Sequence, residues 1–133
     1  MIPENLRYHK EHEWVRVEGT QAVLGITDHA QEALGDIVFF QLPQVGAKVT
    51  AGQEIGEVES TKATSSLYTP ISGTVSKVNQ ALVERPESAN KDPYGEGWIA
   101  VLELADSAEI SSLMDAKAYA AFLSSSLSPG GRG

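Results

Sequence analysis

Residues 56–73 read Gly56-Glu57-Val58-Glu59-Ser60-Thr61-Lys62-Ala63-Thr64-Ser65-Ser66-Leu67-Tyr68-Thr69-Pro70-Ile71-Ser72-Gly73. Two short alternating strands meet at Ser60-Thr61-Lys62-Ala63. Small polar residues surround one long amine at what should be an exposed hairpin tip. A lysine placed there is fixed at its base and mobile at its end. Those properties suit a site that a modifying enzyme grips and that then presents a swinging arm. Taken by itself, a lysine in a turn is a solubilising residue and identifies nothing.

The same texture extends on both sides. From Val45 to Val78, glycines at 46, 52, 56 and 73 and a proline at 70 punctuate runs of a few residues: Lys48-Val49-Thr50, Glu54 to Glu59, Ser66 to Thr69 and Thr74 to Val78. Short strands spaced by turn residues predict a compact all-β sandwich or barrel. Gly46-Ala47-Lys48-Val49 and Gly73-Thr74-Val75 form a weak internal echo on either side of Lys62. Upstream, Trp14 to Glu18 alternates apolar and polar residues, Gly19-Thr20 is a turn, and Gln21 to Ile26 reads as the second strand of a hairpin. Thr27 to Gly35 reads as a short helix with Asp28 as N-cap and Gly35 at its C-terminal end. Ile37 to Leu42 is a strand ended by Pro43. Downstream, residues 84–97 (ERPESANKDPYGEG) read as a long surface loop. Trp98 to Leu104 is a strand, and residues 107–124 are helical in two pieces, with Asp115 capping the second. Residues 1–13 are polar without clear period. One domain over 1–123 with a flexible tail over 124–133 is expected.

Composition narrows the function. The 133 residues suit a single modest core. With no cysteine there are no disulfides, thiolate metal sites or cysteine nucleophile, so any thiol chemistry has to come from an added group. Eighteen acidic residues against ten basic ones give a net charge of −8. That disfavours nucleic acid, whose binding depends on Lys and Arg, and suits docking on basic protein surfaces. No apolar run approaches the roughly 20 residues of a membrane span. The N-terminus has neither the apolar core of a signal peptide nor an Arg- and Ser-rich transit segment.

Side chains with chemistry are few. His9, Glu11, His12 and Glu13 lie close together and are of metal-ligating type, but their spacing matches none of the common catalytic zinc patterns. Hydrogen-bonding or surface roles are read for them. His29 falls in the first turn of a predicted helix, where the dipole disfavours its cation. No nucleophile elbow, P-loop or dinucleotide fingerprint is present, and nothing orders serine and histidine into a triad. The chain is therefore read as a non-enzyme.

The ordered set of segments is more specific than any one of them. Leu6-Arg7-Tyr8 and His12-Glu13-Trp14 are followed by Gly25-Ile26-Thr27-Asp28-His29-Ala30-Gln31 and Leu34-Gly35-Asp36-Ile37-Val38-Phe39. Leu42-Pro43, Val45-Gly46, Val58 to Ala63, Pro70 to Gly73, Val78-Asn79, Asp92 to Ile99 and the Leu113 to Tyr119 helix complete it. In order and length, over about residues 6–123, the chain resembles the H proteins of the glycine cleavage system. The resemblance implies a lipoyl-type flattened β-barrel, a barrel-sandwich hybrid, with a short helix in the N-terminal half and C-terminal helices. It implies lipoic acid in amide linkage to Lys62, within Glu59-Ser60-Thr61-Lys62-Ala63. It also implies that Glu59 and Gly73, three residues before and eleven after the lysine, are recognised by lipoyl-attaching enzymes.

The implied activity is transport. The arm takes an aminomethyl group from a pyridoxal-phosphate glycine decarboxylase and delivers it to a tetrahydrofolate-dependent aminomethyltransferase. A flavin-dependent dihydrolipoyl dehydrogenase then reoxidises it. The loaded arm folds into a surface cleft, where the resemblance assigns Glu13 to the arm's amine. Many family members carry an acidic residue four positions after the lysine; this chain has Ser66. A monomer in the bacterial cytoplasm is expected, or in the mitochondrial matrix if a presequence has been removed. Three alternatives remain: a relay passing lipoyl or octanoyl groups to other proteins, a lipoyl domain of a 2-oxo-acid dehydrogenase complex, and an unmodified protein-interaction module. The dehydrogenase domains are shorter and lack the His12-Glu13-Trp14 and Asp92 to Trp98 segments. Biotin carriers show Met on both sides of the lysine, where this chain has Thr61 and Ala63.

Overall fold

A computed structural model of the chain describes residues 2–127, the side chains of 125–127 excepted. Nine strands are described: β1 (Arg7–Tyr8), β2 (Glu13–Glu18), β3 (Gln21–Ile26), β4 (Ile37–Gln41), β5 (Lys48–Val49), β6 (Glu54–Ser60), β7 (Thr64–Tyr68), β8 (Gly73–Val78) and β9 (Ala100–Leu104). They form two antiparallel sheets, one of six strands in the order β1-β2-β3-β9-β8-β5 and one of three in the order β4-β6-β7. The sheets are separate ladders and do not close into a barrel, so the fold is of the sandwich kind. The expected hairpin is β2 and β3, with Trp14 opposite Gly25 and Val17 opposite Ala22. The two echoing segments pair with each other: Lys48 lies opposite Thr74 and Val49 opposite Gly73.

Burial follows the two-residue period of the strands, but on two faces. Val15, Ala22 and Leu24 from the large sheet meet Phe40, Val58 and Leu67 from the small one in the main core. Their neighbours Trp14 and Val23 point the other way, into a second cluster with Leu6, Tyr8 and Tyr119. Both Trp14 and Val15 are fully buried because α4 (Ala116–Leu127) covers the outer face at this end. Each such side chain contributes roughly 1.5–3 kcal/mol. The N-terminal segment is therefore more ordered than its polar composition suggests. Tyr8 exchanges backbone hydrogen bonds with Met114, tying β1 to the segment before α4.

Three expected boundaries are corrected. Thr27, not Asp28, caps α1 (Asp28–Leu34): its hydroxyl accepts from the Ala30 N–H at 3.2 Å. Asp28 sits in the first turn and accepts from the Gln31 amide at 2.8 Å. Residues 84–97 are not a plain surface loop. The helical turns α2 (Ala81–Glu84) and α3 (Ser88–Lys91) lead into and lie within this stretch, and Leu82 and Ala89 are fully buried. The Asn79 amide holds the far side of the stretch through the carbonyls of Glu96 and Trp98, each at 2.8 Å. Finally, α4 runs to Leu127, four residues into the stretch expected to be a tail. Asp115 caps it as expected, accepting from Ala118 N–H at 2.8 Å. The rest of that stretch, 128–133, lies outside the described residues. A 3-10 helix (Ser107–Ser112) precedes α4. Among the described residues, no helix is long and apolar enough to cross a membrane.

Candidate functional site

Lys62 stands at the tip of the β6–β7 hairpin, exposed to solvent. The turn is closed by Ser60. Its N–H donates to the Ala63 carbonyl at 2.8 Å, and its hydroxyl accepts from the N–H groups of Lys62 and Ala63 at 3.3 and 3.1 Å. Thr61 N–H donates to the Asp36 carbonyl at 3.0 Å, anchoring the tip to the junction of α1 and β4. That junction is itself clamped by Asn90. The Asn90 side chain donates to the Gly35 carbonyl and to Gln31 Oε1, and accepts from Ile37 N–H, at 2.8, 2.9 and 2.9 Å. The backbone that carries the lysine is therefore held at several points.

The aliphatic stem of Lys62 passes over Gly35, the C-cap of α1, whose φ is +81°. A Cβ on Gly35 would lie 3.5 Å from Lys62 Cε. The other end of α1 joins a different cluster: Thr27 N–H donates to the His12 carbonyl at 3.0 Å. Eight residues at about 1.5 Å each separate the two ends by about 12 Å. Helix α1 thus connects the lysine to the segment carrying His12 and Glu13.

Glu13 begins β2, yet only 4% of it is exposed. Its Oε2 accepts from the Tyr68 N–H at 3.2 Å, while the buried Oε1 has no hydrogen-bond partner among the described residues. His9 Nδ1 approaches Oε1 to 3.3 Å but accepts from the Glu11 N–H at 3.2 Å, so it has no proton aimed at the carboxylate. Burial pushes the Glu13 carboxyl above its ordinary pKa; His9 and the Tyr68 N–H oppose that rise. A cleft of about 910 Å³ opens beside the pair, lined among others by His9, Glu11, Tyr68, Leu113 and Phe122.

His12 has a φ of +70° and a half-buried ring. Thr27 Oγ1, which accepts from the Ala30 N–H, shares a hydrogen bond with the Tyr119 hydroxyl at 2.9 Å. The same hydroxyl hydrogen-bonds His12 Nδ1 at 2.8 Å. Burial lowers the pKa of His12. Burial pushes Tyr119 up to about 12, so it keeps its proton. The ring of His29 lies 4.5 Å from that of His12, half-buried.

The other sequence candidates are placed differently. Glu59 lies on the central strand of the small sheet, opposite Phe39 and Thr64, on the face away from buried Val58. Ser66 shares that face, opposite Glu57. Gly73 is in the large sheet, beyond the far end of β7 from Lys62. A Cβ there would lie 2.2 Å from the Glu103 carbonyl oxygen, so packing of β8 on β9 requires glycine whatever else reads it.

A family model described as glycine cleavage H-protein matches residues 6–126. The chain belongs to the glycine cleavage H-protein family. It is 53% identical over 125 residues to the glycine cleavage system H protein of Myxococcus xanthus (strain DK1622), covering 94% of this chain and 97% of that one. It is 54% identical to that of Geobacillus kaustophilus (strain HTA426), covering 91% and 95%. Among solved structures, the H protein from Mycobacterium marinum superposes with a TM-score of 0.86 at 41% identity, covering 92% of this chain and 99% of that one. The family's lipoyl-type fold is thereby the fold of this chain, and its members are carrier components of the glycine cleavage system.

Sequence reasoning missed the residues that support the site. Asn90 lay in an apparent loop, and nothing in its neighbourhood marks it as a clamp. The part played by the Tyr68 backbone is invisible in a side-chain pattern. His9 was visible only as one of a cluster of polar residues.

Proposed function

We propose that the chain is the lipoyl carrier of a glycine cleavage system, with lipoic acid joined through an amide to Lys62 Nζ. The observation that carries this reading is a lone lysine at a solvent-exposed tip whose backbone is closed by Ser60 and anchored to α1 and β4. The residues present fit the group. The tip is open to an attaching enzyme, α1 offers a path back along the protein, and a buried carboxylate oxygen without a partner waits near its far end. Lipoic acid, when bound, supplies the reacting sulfurs and carries the aminomethyl group.

What the chain's own residues do is hold, orient and shield. Ser60 and Asp36 fix the origin of the arm. Glu13, buried and half-satisfied, offers a carboxylate oxygen to a protonated amine, a charge-assisted contact of the stronger kind. The cleft beside it excludes bulk water from what it holds. Glu59 and Gly73 are assigned to recognition by the lipoyl-attaching enzyme. In this reading the carrier serves three enzymes in turn: the pyridoxal-phosphate decarboxylase, the aminomethyltransferase and the flavin-dependent dehydrogenase. Tethering raises the arm's effective concentration at each, and the chain itself is not an enzyme.

The test is Lys62→Arg in a reconstituted system. The substitution keeps the charge at an exposed position and leaves the fold intact. Glycine-dependent exchange of carbon dioxide falls to background. Retention of wild-type exchange would refute the assignment.

A further inference from the structure

Glu13 Oε1 is a carboxylate oxygen that is buried and lacks a hydrogen bond. The nearest titratable nitrogen is His9 Nδ1 at 3.3 Å, and in this arrangement that nitrogen is an acceptor, occupied by the Glu11 N–H. With Nδ1 in that role, no ring proton is directed at Oε1. Protonation would place a hydrogen on Nδ1, repel the Glu11 N–H and turn the ring's cation onto Oε1. The oxygen can be satisfied in two ways, by a proton on His9 Nδ1 or by an external donor admitted past His9, which lines the cleft and stands between it and Oε1.

We infer that His9 is a positioning residue for Glu13, and that its proton and the protonated amine at the end of the loaded arm compete for Glu13 Oε1. This rests on the assignment of Glu13 to the arm. Two cations cannot share one buried oxygen at low cost. Docking of the ammonium on Glu13 consequently disfavours protonation of His9, and protonation of His9 weakens the docking. The other groups facing the pair do not substitute for it. Glu11 and Lys10 are exposed and line the cleft from the same segment. His12 is held by Tyr119, with His29 against it from α1. From β7 the contact is the Tyr68 backbone N–H, and from α4 it is the neutral hydroxyl of Tyr119.

The test uses the lipoylated chain with its histidine rings labelled for nitrogen NMR and its arm labelled with carbon-13. His9 is titrated with the arm empty and with the arm carrying the aminomethyl group. Linkage requires that loading weaken proton binding at His9, by about tenfold for a coupling of ordinary size, and that the effect vanish in Glu13→Gln. In His9→Gln, which is neutral at every pH, the loaded arm stays immobilised to lower pH than in wild type. If the loaded arm is immobilised but His9 titrates identically in both states, the role of His9 is wrong and the docking on Glu13 stands. If the loaded arm is as mobile as the empty one at every pH, both are wrong.

Discussion

Glu13 illustrates the cost of a buried carboxyl group. Its folded pKa is raised by burial, so the native state holds that proton to higher pH than the unfolded chain does. The associated stability is fully present below the ordinary carboxylate range and is lost as pH rises through the folded value. Glu13→Gln removes this titration and the unsatisfied charge. In urea unfolding, the variant gains on wild type between pH 4 and 7 by about 1 kcal/mol; parallel pH profiles would show that the carboxylate is not strained. Gly73 makes the opposite point. A methyl group there meets the Glu103 carbonyl at 2.2 Å, so Gly73→Ala should cost about 1–3 kcal/mol through overpacking. A melting temperature unchanged from wild type would contradict the packing reading and leave enzyme recognition as the residue's sole role. At this scale the exposed place of Lys62 on a hairpin turn was legible because small polar residues surround it. The burial of Glu13 was not, because it depends on Tyr68, which is 55 positions away.

Among the elements, α4 carries more than its place near the chain's end suggests. Its Tyr119 stacks on Tyr8 with ring centroids 4.6 Å apart and closes the chain of hydroxyls from Thr27 to His12. Tyr119→Phe keeps the stacking but leaves Thr27 and His12 without that partner. It is expected to lower stability by about 1–3 kcal/mol and to perturb the His12 ring signals in NMR; unaltered signals would refute the network. The strands were readable because alternation and glycine turns act locally: the β2–β3 hairpin and the helix cap at Asp115 follow from neighbouring residues. The helical turns leading into and within 84–97 were hidden by the two prolines and two glycines of that stretch. They form there because Leu82 and Ala89 bury against the sandwich and Asn90 and Asn79 satisfy the surrounding backbone. These are tertiary effects without a local signature.

At the scale of the whole molecule, two sheets and a covering helix make a rigid body with one lysine presented at an end. The small sheet's outer face beside that lysine carries Glu57, Glu59 and a 44% exposed Phe39, an acidic surface with an apolar element for its enzymes to meet. With no cysteine in the chain, no protein thiol would compete by exchange with the sulfurs of the proposed arm. The overall architecture was legible because the short punctuated strands and the ordered family segments agree. The absence of barrel closure was not, since it depends on which edges pair. Everything proposed for this molecule depends on one covalent bond. The most direct measurement is the intact mass of the chain from its native host, with peptide mapping across residues 54–77. A lipoyl mass increment confined to the peptide bearing Lys62 is the predicted result. An unmodified Lys62, in cells whose other lipoyl proteins are modified, would contradict the carrier assignment.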